Sequence, residues 1–163
     1  MKIVLATLNA KYIHSSLALY YLKAFCDTDS NDIIIKEYSV NNSLLDILSD
    51  IYGEQPAVIG LACYIWNIEM TLQLTSLLRK VLPNTVIILG GPEVTYGAEE
   101  VIQNTPAIDY IVKGEGEEVL GRLLECLRSQ VDTSGIAGLV FRQQDKVVTT
   151  GEAQIVFIHY VFP

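Results

Sequence analysis

The sequence predicts an α/β fold: a doubly wound, five-stranded parallel sheet in the order 2-1-3-4-5, with a small C-terminal β-hairpin as an extension. Three observations lead there. Short runs rich in Val, Ile and Leu, at 3–7, 33–38, 58–63, 85–89 and 109–112, alternate with segments of helical spacing, a pattern that specifies a parallel sheet covered on both faces. Right-handed crossovers leave few topologies for such a chain, and 2-1-3-4-5 is the favoured five-stranded one. The run Val86-Ile87-Ile88-Leu89 ends in the corner Gly90-Gly91-Pro92, where the backbone must turn sharply or admit something that a Cβ would block.

In chain order, 3–7 is the first strand, and Ser15 and Ser16 can cap a helix carrying Leu17, Ala18, Tyr21, Leu22 and Phe25 on one face. The polar turn 27–32 leads to the second strand, and Leu44, Leu45, Ile47, Leu48 and Ile51 then mark an amphipathic helix that stops at Gly53 and Pro56. After the third strand, Asn67 is placed to cap a helix through Leu72, Leu74, Leu77, Leu78 and Val81, ending before Pro83. The fourth strand, a short helix near 98–103 and the fifth strand come next. Lys113-Gly114-Glu115-Gly116-Glu117-Glu118 opens a last helix through Val119, Leu120, Leu123, Leu124 and Leu127. Residues 136–142 and 146–149, split by Gln143-Gln144-Asp145, read as the hairpin, and 155–163 is apolar and extended. That abrupt apolar end is expected of a piece of a longer protein, packing on a domain beyond it.

The 163 residues suit one domain with a sizeable core. With 11 Lys+Arg against 19 Asp+Glu, the net charge of −8 opposes a surface that grips nucleic acid. No run approaches the ~18 apolar residues of a membrane span, and the short singly charged N-terminus is no signal peptide, so the expectation is a cytoplasmic protein. Cys26, Cys63 and Cys126 are scattered without metal-ligand spacing and read as reduced thiols.

Four loops, 8–14, 64–67, 90–93 and 113–117, fall at the carboxyl edge of the sheet, where open parallel sheets bind ligands. None carries a Walker-type phosphate cradle, and no G-x-G-x-x-G follows the first strand, which argues against a nucleoside triphosphate or dinucleotide. Glu115 and Glu117 are either acid–base groups or simply favourable charges at a helix N-terminus. No nucleophile–base set has local support, so the chain reads as a binding module rather than a complete enzyme.

Gly90-Gly91-Pro92-Glu93 with the helix after it, Ile108-Asp109-Tyr110-Ile111-Val112-Lys113 and Gly114-Glu115-Gly116-Glu117 resemble the N-terminal cobalamin (vitamin B12)-binding domain of radical S-adenosylmethionine (SAM) enzymes. That superfamily includes the anaerobic magnesium-protoporphyrin monomethyl ester cyclase. The segments at 7–17 and 63–67 are similar to one branch of it. The resemblance implies a flavodoxin-like, Rossmann-like B12 fold over 1–143, with 144–163 as hairpin end and linker toward a radical SAM domain. It implies a corrin ring across the carboxyl edge and a nucleotide tail passing the glycines after the fourth strand. Cofactor contacts are then expected from Asn9, Lys11, Tyr12, His14 and Ser15; from Ala62, Cys63, Tyr64, Trp66 and Asn67; from Gly90, Gly91, Pro92 and Glu93; and from Gly114, Glu115 and Gly116. SAM and a [4Fe–4S] cluster would belong to the other domain.

Two motif positions depart from the methionine-synthase pattern. D-x-H-x-x-G, whose His coordinates cobalt, is represented by Tyr12-x-His14-x-x-Leu17, which leaves His14 as an axial ligand without a carboxylate to orient it. The hydroxyl of S-x-L is lost at Ala62-Cys63-Tyr64, so Cys63 either nears the ligand or fills core. Trp66 beside Tyr64 is placed either to pack on a flat ring or to dock a neighbouring domain. These departures keep two alternatives open: a B12-type fold reduced to a cofactor-free scaffold, or a module for flavin or a nucleotide.

Overall fold

A computed structural model describes residues 1–10, 15–144 and 146–153. Strands β1 (Lys2–Asn9), β2 (Asp32–Ser39), β3 (Val58–Ala62), β4 (Val86–Gly90), β5 (Tyr110–Val112), β6 (Leu139–Gln143) and β7 (Lys146–Thr149) form one sheet in the order β2-β1-β3-β4-β5-β6-β7. The first five are parallel in the expected order, and β6 pairs antiparallel with β5. The hairpin therefore continues the main sheet. An isolated two-stranded ribbon is marginal in water, and β6 gains both a main-chain partner and burial of Leu139, Val140 and Phe141.

Strand alternation sorts the side chains into two cores. Along β1, Val4, Ala6 and Leu8 enter one core with α2 (Leu44–Glu54), α3 (Ile68–Val81) and α5 (Ala98–Asn104), while Ile3 and Leu5 enter the other with α1 (Leu17–Cys26) and α6 (Gly116–Ser129). A single turn, α4 (Pro92–Thr95), begins at the Gly-Gly-Pro corner.

The predicted inner face of α1 is displaced. Leu17, Tyr21 and Phe25 are 68%, 64% and 48% exposed, whereas Leu19 and Cys26 are buried. The helix LALYYLKAFC is apolar nearly all round, so periodicity does not choose a face; the sheet takes the Leu19, Leu22 and Cys26 stripe. The neighbouring α6 meets α1 at glycines: a Cβ at Gly116 would sit 3.2 Å from Leu22, and one at Gly121 3.2 Å from the Phe25 ring.

At the amino edge, Arg79 donates to the carbonyls of Pro83, Thr85 and Ala107 and pairs with Asp109 at 2.6 Å. Asp109 also accepts from the Ile87 amide at 2.7 Å, so one ion pair holds α3, β4 and β5 in register. At the β2 edge, Glu54 lies 2.8 Å from both Lys2 and Lys36. Those hydrogen bonds hold its carboxyl well below the usual carboxylate range, at about 2. A depressed carboxyl contributes stability that is complete above its unfolded pKa and lost as pH falls through the folded one. Acid titration of stability should accordingly show a component between pH 4.5 and about 2 that Glu54→Gln removes; an unchanged acid limb in denaturant melts of the variant would contradict the pairing. Among the described residues, no helix is long and apolar enough to cross a membrane.

Candidate cofactor site

Strand register aligns one residue from each of the five parallel strands at the carboxyl edge: Glu37, Thr7, Ala62, Gly90 and Val112. Alternation places this row on the α1/α6 face, to which Ala62 and Val112 belong directly. Its three central members are Thr, Ala and Gly, so the sheet presents a trough where the row beneath carries Leu5 and Ile88. Gly60, in that lower row, is filled from within: a Cβ there would meet Leu5 at 2.8 Å. Gly90 differs. The nearest described atoms to a Cβ at Gly90 are 3.8 and 3.9 Å away on Val112, ordinary contact distances, so the fold itself does not demand glycine there.

Gly91 has the opposite explanation. Its φ is 109°, and a Cβ would stand 2.5 Å from the Cys63 carbonyl oxygen. The β3–α3 and β4–α4 loops cross here, with the Cys63 amide donating to Gly90 O at 2.7 Å and the Glu93 amide to Cys63 O at 3.4 Å. The sequence expectation that both glycines admit a ligand thus divides: Gly91 is required by loop crossing, and Gly90 is left to face the trough. Pro92 starts α4 and Glu93 stands in its first turn, both exposed.

Cys63 is 0% exposed in the α2/α3/α5 core. Burial, with Glu93 nearby, pushes its thiol up to about 12, which makes it core filler rather than a thiolate ligand. Asn67, predicted as a helix cap, makes no side-chain cap. Its Oδ1 accepts from the Tyr64 amide at 2.8 Å, and its Nδ2 donates to Leu8 O at 3.0 Å and Ala62 O at 3.1 Å. An amide oxygen turned back onto the Tyr64 amide, with its nitrogen held by Leu8 O and Ala62 O, is not aimed at the first helical turn. The loop it closes displays Tyr64 and Trp66 as stacked rings, centroids 4.7 Å apart and 4° from parallel. Trp66 Nε1 donates to Leu8 O at 3.3 Å, and the ring is 50% exposed: an anchored aromatic platform on the rim.

Across the trough, Glu37 organises the other rim. One carboxylate oxygen accepts from the Ser16 amide at 2.6 Å and from Asn9 Nδ2 at 3.4 Å, and the second accepts from Tyr20 Oη at 3.4 Å. The expected Ser16 cap is absent because a glutamate from β2 ties down the start of α1 instead. Ser15 is exposed beside it. Lys11, Tyr12 and His14 lie outside the described residues. Gly114 turns at φ 72° with open space around it, and Glu115 precedes α6 with Glu117 and Glu118 in the first turn, where carboxylates favour the helix N-terminus. Gly116 is taken up by its packing on Leu22 of α1.

Sequence reasoning missed Thr7 and Glu37. Thr7 is 0% exposed, and among the described residues its Oγ1 has no hydrogen-bond partner, an arrangement that costs about 1–3 kcal/mol. The signals for Thr7 were a hydroxyl closing an otherwise aliphatic strand, Ile3-Val4-Leu5-Ala6-Thr7, and its place at the head of the segment 7–17. A concavity of about 520 Å3, lined by residues such as Leu72, Leu77 and Pro106, lies on the α2/α3/α5 layer, which is the other side of the sheet. It contains no titratable side chain, so the trough, with its converging polar groups, is the better candidate.

Fold and edge together define a doubly wound domain whose polar loop residues converge at the carboxyl ends of the parallel strands. The chain belongs to the B12 binding domain family, whose pattern matches residues 3–124. It is 34% identical over 84 residues to the anaerobic magnesium-protoporphyrin IX monomethyl ester cyclase of Synechocystis sp., covering 52% of this chain and 17% of that protein. Over 101 residues it is 28% identical to the cobalamin-dependent radical SAM methyltransferase TokK of Streptomyces tokunonensis, covering 61% of this chain and 15% of that one. The radical SAM methyltransferase TsrM from Kitasatospora setae, solved with cobalamin and a [4Fe–4S] cluster bound, shares the fold at a TM-score of 0.79 and 18% identity, over 97% of this chain and 30% of that one. The chain thus spans less than a third of each of these relatives, and its homology to cobalamin-dependent radical SAM proteins favours cobalamin over the flavin or nucleotide alternative.

Proposed function

We propose that this chain is the cobalamin-holding module of a B12-dependent radical SAM enzyme, whose SAM, [4Fe–4S] cluster and radical chemistry belong to a domain elsewhere in the full-length protein. The observation that carries this reading is the Thr7–Ala62–Gly90 trough, aligned by register at the carboxyl edge of a B12 binding domain. The residues fit the group: the trough suits a narrow tail, and the stacked Tyr64 and Trp66 pair offers a flat apolar surface on the rim. Bound cobalamin would supply a methyl group in a methyltransferase, or take part in oxidative or ring-forming chemistry in a cyclase-like protein. This chain's part is to hold the tail against bare backbone at Gly90, to keep Asn9 and the start of α1 in place through Glu37, and to screen one side of the ring with the Trp66 loop. From the sequence alone, His14 would be the residue to hold the cobalt.

Titrating the protein with hydroxocobalamin tests the reading. A bound, spectrally shifted chromophore and a raised melting temperature are expected. Gly90→Ala should fold as the parent does, within about 0.5 kcal/mol, yet bind at least about tenfold more weakly, because an added methyl overpacks a filled slot. No retained chromophore in the parent protein would favour the cofactor-free scaffold, the reading to which the missing hydroxyl at Ala62 points.

A further inference from the structure

We propose that Thr7 supplies the hydrogen bond to the cobalamin tail that Ala62 cannot make: the hydroxyl has moved one strand over, from β3 to β1, within the same register row. The inference rests on the cobalamin reading of the site and goes beyond it by assigning the polar contact of the slot to a residue not among the expected cofactor contacts.

Thr7 and Ala62 are direct register partners, so their side chains stand side by side on the same face, and a group lying over Ala62 lies within reach of Thr7. Thr7 Oγ1 is fully buried and, among the described residues, without a partner. Among the other described hydroxyls, that of Thr71 in α3 is likewise buried without a partner, whereas Thr75 and Ser76 bond back to Leu72 O and Thr85 bonds to Pro56 O. A helical hydroxyl such as that of Thr71 keeps the carbonyl one turn back within its reach as an acceptor. A strand hydroxyl has none, so Thr7 must find its partner across the face; its register neighbour Glu37 accepts from Ser16, Asn9 and Tyr20 and makes no bond to Thr7, which leaves Ala62, Gly90 and the aliphatic side chains of the α1/α6 core. A valine would fill the same volume without the orphaned group. A buried hydroxyl pointing from the edge of a strand into a trough of Ala and Gly is therefore placed for a polar atom that enters the trough from outside the fold.

The test compares the parent chain with Thr7→Val and Thr7→Ser, using hydroxocobalamin and cobinamide, the corrinoid that lacks the nucleotide tail. Thr7→Val should weaken hydroxocobalamin binding about tenfold, leave cobinamide binding unchanged, and leave the melting temperature of the ligand-free protein equal or higher. Thr7→Ser should retain the parent's affinity. Equal hydroxocobalamin binding by Thr7→Val overturns the proposal, as does an equal loss for both corrinoids, since the contact would then not be to the tail. A lower melting temperature for ligand-free Thr7→Val also overturns it, because the hydroxyl would have a structural partner. A parent chain that binds neither corrinoid is a separate result: it removes the cobalamin reading itself, and this inference with it.

Discussion

Gly91→Ala is expected to destabilise the domain by about 3–5 kcal/mol, enough to leave much of it unfolded if its total stability lies at the low end of the usual range. Two costs add. The backbone at φ 109° and ψ 171° lies in a region open essentially to glycine, and holding another residue there costs about 1–3 kcal/mol. The new Cβ would also lie 2.5 Å from the Cys63 carbonyl oxygen and 3.1 Å from its amide nitrogen. These are backbone atoms in a crossing held by hydrogen bonds from both loops, so relief requires moving a loop, an overpacking cost of about 1–3 kcal/mol. Urea unfolding checks it, and a midpoint like the parent's would show that the crossing is soft. The adjacent Gly90→Ala should show the reverse pattern, with folding intact and binding impaired.

Asn67→Ala should be the second severe change, costing about 2–5 kcal/mol. The side chain is 1% exposed and makes three hydrogen bonds that join the ends of β1 and β3 to the loop between β3 and α3. Truncation leaves the Tyr64 amide and the Ala62 carbonyl without those partners, at about 1–3 kcal/mol for each buried group; Leu8 O keeps its bond from Trp66. Asn67→Asp should be no milder, since it keeps the acceptor for Tyr64 but sets a carboxylate against two carbonyl oxygens. Trp66 is the single tryptophan and reports locally: its emission should shift to the red in both variants as the loop loosens. Unchanged emission with unchanged thermal stability would mean that the loop holds without Asn67.

The parallel sheet and its order were legible because strands buried on both faces read as continuous aliphatic runs, such as Ile33-Ile34-Ile35 and Val86-Ile87-Ile88-Leu89, and because crossover handedness prunes the alternatives. The carboxyl edge was legible for the same reason: once the strands are parallel, every loop after a strand lies at one edge. Individual roles within that edge were not. Gly90 and Gly91 are indistinguishable in a string, and only the Cys63 loop crossing separates them. Asn67 before a helix has the appearance of a cap, and only the nearness of Leu8 and Ala62 turns its amide to loop closure. The inner face of α1 was likewise undetermined, because Leu17, Tyr20, Tyr21 and Phe25 are as apolar as Leu19, Leu22 and Cys26.

Local periodicity was enough for the class of the fold, the order of its parallel strands and the edge to which the loops after the strands converge, and the motifs along the chain carried the resemblance that the family match then bore out. Such signals repeat within short windows, so they survive in a string of residues. It took the folded chain to bring Glu37, Thr7, Ala62, Gly90 and Val112 into one row, to pin Gly91 under a crossing loop, and to leave a hydroxyl over at Thr7. Each of these is a matter of register between residues far apart in sequence, set by which strands become neighbours, and no short window of the chain contains it.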